Sequence, residues 1–236
     1  MGAFIFKYKS NIMNPTPFSI RNIMLLGGFM AMQAGYINTI LFLEFGLPVS
    51  QMTGIMSRLS ESIYHMDWAL GFKGLLVLIG FILGALLSGL VIGDRESPQD
   101  RRFALGMTLL SASLFVSAWL ASQMHLATLF TTAFACGLQN ALTAKYRGLQ
   151  MRTTHVTGIV TDLGVYIARM IKGQGWPWQA WLLIILIMTF LIGGIFGIMM
   201  FAQWHGASLI IPALACIPIA VAWLRLALKN QSPFRH

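Results

Sequence analysis

Three runs of the chain, Met24–Leu43, Gly74–Gly93 and Trp181–Met200, carry no charged side chain over about 20 residues, the length that crosses a bilayer core as a helix. The rest of the composition agrees, with 57% of 236 residues hydrophobic and only 10% charged. Such values lie far from those of soluble domains and specify an integral membrane protein. Apolar windows place six spans near residues 20–43, 71–93, 104–122, 126–146, 179–201 and 207–227.

Two segments interrupt this pattern. Residues 50–66, "SQMTGIMSRLSESIYHM", and 154–172, "THVTGIVTDLGVYIARMIK", have helical periodicity but are short and polar. They also resemble each other. "GYIN" (Gly35–Asn38) precedes "MTGI" (Met52–Ile55), and "GLQN" (Gly137–Asn140) precedes "VTGI" (Val156–Ile159). The match runs on through Leu59/Leu163, Ile63/Ile167 and Met66/Met170, then "FILGA" (Phe81–Ala85) against "FLIGG" (Phe190–Gly194). An ordered series of this kind reads as a duplication.

Positive charge orients the halves. If both polar segments cross the membrane, nine basic residues fall inside and six outside, with Arg58 in the membrane, a weak bias. If each enters and leaves on one side, fourteen of the sixteen Lys and Arg residues fall in the cytoplasm and only Arg58 and Lys73 outside. The second arrangement is expected. It is an all-α polytopic protein of six transmembrane helices and two short re-entrant helices, organised as two inverted-topology repeats. Residues 1–19 form a cytoplasmic tail, 20–122 the first repeat (re-entrant 48–66), 123–228 the second (re-entrant 152–172), and 229–236 a second cytoplasmic tail. The N-terminus lacks the compact apolar region and small-residue site of a cleaved signal.

The net charge of +9 suggests anionic lipid rather than nucleic acid, because basic residues of membrane proteins mark cytoplasmic edges. Cys136 and Cys216 have no metal-type spacing, and fifteen scattered methionines read as packing. No nucleotide loop, hydrolase elbow or zinc motif occurs, so neither a cofactor nor a metal is expected.

Polar groups at membrane depth survive only when buried in protein or lining a wet cavity. Each Thr-Gly is therefore expected to turn at the midplane, the threonine capping the helix that returns. Two helix N-termini would converge there and favour an anion or carboxylate. Thr53, Gly54, Thr157 and Gly158 are the expected binding residues, joined by Asn38, Gln139, Asn140, Thr153, Thr154 and His155, with Arg152 at the cytoplasmic mouth. For Asn38, Gln139 and Asn140, hydrogen bonding between helices is an equal reading. Arg58 and Asp162 fall at equivalent repeat positions with opposite charge. They are expected to meet as a buried pair that holds the halves together or serves gating and coupling.

"GYINTILFLEFGLPVSQMTG" and "GLQNALTAKYRGLQMRTTHVTGIVTDLG" resemble the two signature regions of the YoaK-like bacterial membrane proteins, a family of unknown function. The resemblance covers roughly residues 20 to 228. It implies a bacterial inner-membrane protein and supplies no substrate. This chain departs from the family at Asn38, where an aspartate is frequent, and at Ile55, where an asparagine is. The expected function is a small secondary transporter or channel for a small anion or carboxylate-bearing metabolite, plausibly a homodimer. The rivals are an intramembrane enzyme using His155 and Asp162, and a membrane receptor or assembly factor.

Overall fold

The computed structural model describes residues 20–93, 101–144 and 153–229. Eight α-helices occupy them: α1 (Ile20–Phe45), α2 (Met52–Tyr64), α3 (Trp68–Ile92), α4 (Arg101–Ser122), α5 (Ala127–Ala144), α6 (Val156–Ile171), α7 (Trp178–Trp204) and α8 (Ile210–Lys229). A 3-10 turn, His205–Leu209, separates α7 from α8. Each of the six apolar windows and both polar segments corresponds to one helix. The two tails and Arg152 lie largely or wholly outside the described residues.

The exposed surface is what a bilayer would dissolve. Leu75, Ile79, Ile82, Leu86 and Leu90 line the outside of α3, and Met188, Leu191, Ile192, Ile195 and Ile198 that of α7. Polar side chains are instead inside: Gln33, Gln139, Ser117, Thr128 and Thr132 are all buried. Four stretches are long and apolar enough to cross a membrane, residues 20–45, 68–91, 101–122 and 178–229, the last containing both α7 and α8. Helix α5 is not among them. Its four threonines, Gln139 and Asn140 lower its hydropathy, and it tolerates them because it is packed against α3, α4 and α1.

The helices pair as α1 with α7, α3 with α5 and α4 with α8, while α2 touches only α3 and α6 only α7. Glycines set the first two pairings. Gly35 of α1 lies against the Phe190 carbonyl of α7, so close that a Cβ would run into the oxygen. Gly137 of α5 lies in the same way against the Phe81 carbonyl of α3. The reciprocal contacts are also duplicated, Gly193 on the Met32 carbonyl and Gly84 on that of Phe134. Each partner in one crossing is the aligned equivalent of a partner in the other. Small residues permit this backbone approach, which supplies the dispersion contacts that hold helices together in lipid.

Candidate functional site

After α1 ends at Phe45 the chain turns at Gly46, whose φ of +72° suits glycine, and folds inward. Leu47, Val49 and Ser50 are all buried. Ser50 donates to Asn38 Oδ1 from its backbone N–H (3.1 Å) and from its hydroxyl (2.9 Å). Asn38 lies seven residues before the end of α1, so by Ser50 the chain has come back about 10 Å along that helix. Thr154 makes the corresponding bond in the second half, its hydroxyl donating to Asn140 Oδ1 at 2.8 Å. The offset that aligns the two Thr-Gly pairs also maps Ser50 onto Thr154 and Gln51 onto His155. Ser50 and Gln51 were legible in that alignment, yet sequence reasoning passed over them because neither is identical to its counterpart.

From these anchors α2 and α6 start, and both starts line one cavity of about 710 Å3. Its walls include Gln51, Met52, Thr53 and Gly54 from the first segment, and Thr154, His155, Val156 and Thr157 from the second. Phe81 and Ala85 of α3 and Gly137 and Asn140 of α5 close the back. Among the described residues, none that lines it is acidic, and none is lysine or arginine. The threonines do not cap these helices, as the sequence had suggested. The caps fall two residues earlier, at Gln51 and His155, and neither side chain accepts a capping bond. The first-turn N–H groups, which a helix cannot satisfy internally, are thus left uncapped at both cavity-lining starts.

Of the residues singled out in the sequence, Thr53, Gly54, Asn140, Thr154, His155 and Thr157 line the cavity, while Asn38, Gln139 and Gly158 do not. Asn38 is engaged by Ser50. Gln139 is fully buried and donates to the Met30 carbonyl at 2.7 Å, joining α5 to α1. Gly158 lies under the His155 ring, with space for a Cβ 3.3 Å from Nδ1. Thr153 is buried with its hydroxyl unpartnered among the described residues.

The expected Arg58–Asp162 contact is not formed. Arg58 pairs with Glu61 of its own helix at 2.9 Å, both residues are about half exposed, and no ion pair among the described residues reaches Asp162. Helices α2 and α6 do not touch. Alignment of two positions in sequence does not bring their side chains within reach of each other; that depends on which helices pack together, and these two do not. Asp162 is likewise absent from the cavity wall, which removes the acid–base partner that an enzyme reading asked of His155.

The chain matches the model of a family described as protein of unknown function (DUF1275) over residues 26–222. It belongs to this family. The YoaK-like resemblance of the two signature regions is consistent with that membership. Neither the curated proteins nor the solved structures contain a match.

Proposed function

We propose that this protein is a small transporter or channel of a bacterial inner membrane, carrying an anionic, carboxylate-bearing metabolite through the cavity between the two Thr-Gly segments. The observation that carries the reading is the pair of helix starts, neither capped by its own N-cap side chain, that line one cavity with no carboxylate among its described residues. Free N–H groups and the positive ends of two helix dipoles attract an anion there without a buried cation. The threonine hydroxyls of Thr53 and Thr157 add donors. A volume of about 710 Å3 is in the range of small-molecule sites, which favours a metabolite over a bare monatomic ion.

In this proposal α2 and α6 are re-entrant, six helices cross, and the two halves are inverted with both termini in the cytoplasm. The fold-back from Phe45 to the level of Asn38, the duplicated glycine crossings and the distribution of basic residues all support it. Labelling of single cysteines tests the topology, since Cys136 and Cys216 are both buried. Cysteines at Met66 and Trp68, both strongly exposed, should react with an impermeant maleimide from outside intact cells. Reaction only after lysis would overturn the inverted arrangement. The substrate class is tested by the melting temperature of detergent-purified protein with carboxylates, inorganic anions and neutral metabolites, since a ligand of the folded state raises it by mass action. A shift with carboxylates that is lost in Thr157→Val supports the site; shifts only with neutral compounds would overturn it.

A further inference from the structure

Helix α2 is packed on one side only. Ile55 and Ser62 are buried and Leu59 lies on Gly74 of α3, whereas Ser57, Arg58, Ser60 and Glu61 face outward. On a re-entrant helix, a placement that rests on the topology proposed above, this face cannot be left to lipid. Ser57 and Ser60 bond only to carbonyls of their own helix and Arg58 and Glu61 only to each other, so two hydroxyls and an ion pair would there lose water and gain nothing from hydrocarbon. No other helix among the described residues covers the face, because α2 contacts α3 alone.

We propose that a second copy of this chain covers it, α2 against α2 about a two-fold axis. The charge pattern selects this occupant. An arginine and a glutamate three residues apart on one helix face complement themselves under a two-fold, since residue i meets j and j meets i in an isologous contact. Arg58, 45% exposed, and Glu61, 46% exposed, bond within their own helix in the single chain. Across the axis each also meets the other's counterpart, giving a ring of four alternating charges flanked by Ser57 and Ser60. A different protein would need its own matching pair; a copy of the chain carries one already.

The test separates contacts between chains from the pair within one chain. Two differently tagged chains, one Arg58→Glu and the other Glu61→Arg, are expressed together and singly in membranes. Within either chain the two positions then carry like charge, and so do copies of the same chain facing each other. Only the mixed pair is complementary. The expected result is that each variant alone co-purifies with itself several-fold less than wild type does, while the mixed pair is recovered at least as well as wild type. As a second measurement, Ser57→Cys in the otherwise unchanged chain should form a disulfide dimer under mild oxidation, and Leu105→Cys on exposed α4 should not. Mixing no better than either variant alone, with no Ser57→Cys dimer, would overturn the proposal and leave the face to water or another protein. Neither readout depends on a substrate, so its failure is distinct from failure of the anion site.

Discussion

Ser50 is held on Asn38 by a backbone N–H and a hydroxyl, whereas Thr154 is held on Asn140 through its hydroxyl alone, which donates to Oδ1 and accepts from Nδ2. Beyond those anchors the two segments diverge. The first continues into 13 residues of polar helix with an ion pair, the second into 16 residues that expose Val160, Val165, Ile167 and Ile171. The parts that place the cavity wall are thus alike in the two halves, and the parts that face outward are not. Duplicated positions that must fit backbone to backbone admit little change, while a face turned away from the bundle answers only to what covers it.

The largest effects should come from the glycine crossings. Gly35→Ala and Gly137→Ala each force a methyl group into a backbone carbonyl, and both should destabilise by at least the 1–3 kcal/mol of about one overpacked methyl. The melting temperatures of the two variants should fall together. Gly164→Ala, mid-helix with no atom near its Cβ, should instead stabilise by about 0.4–1 kcal/mol. A large fall for only one of the crossing pair would break the equivalence of the halves.

The anchors come next. Asn38→Ala leaves a buried backbone N–H and a hydroxyl without their acceptor and should cost about 2–3 kcal/mol, against about 1–2 kcal/mol for Asn140→Ala. Thermal unfolding in detergent ranks the two. The reverse order would show that the second anchor carries more of the loop than its bonds suggest.

Ligand contacts are smaller. If one anion is shared between the segments, Thr53→Val and Thr157→Val should each weaken carboxylate binding by roughly 3- to 10-fold, the equivalent of about one hydrogen bond. A change confined to one of them would assign the ligand to a single repeat. Smallest is the glycine of each motif. Gly54→Ala meets only Pro48 at an ordinary 3.5 Å and should stabilise by about 0.4–1 kcal/mol, whereas Gly158→Ala must displace the His155 ring slightly and should gain less.

Much of this was legible in the residues. Apolar windows located six helices, and the polar segments gave α2 and α6, because burial in lipid demands long apolar faces and penalises exceptions visibly. The alignment of the halves also contained the residues that cross, since Phe81 and Gly84 answer Phe190 and Gly193, but that their backbones meet Gly137 and Gly35 and their neighbours came from the structure. It misjudged the charges. Arg58 and Asp162 align, yet Arg58 bonds three residues along its own helix.

The sequence by itself determined the helices, their polar exceptions and the correspondence between halves, because these depend on local periodicity and on the lipid solvent. Only the tertiary structure decided what each polar group meets. Asn38 is taken up by Ser50 and Gln139 by Met30, while Thr53 and Thr157 reach the cavity. Contact is a matter of which helices pack together and of which helix faces which. Neither is written in the spacing of residues along the chain.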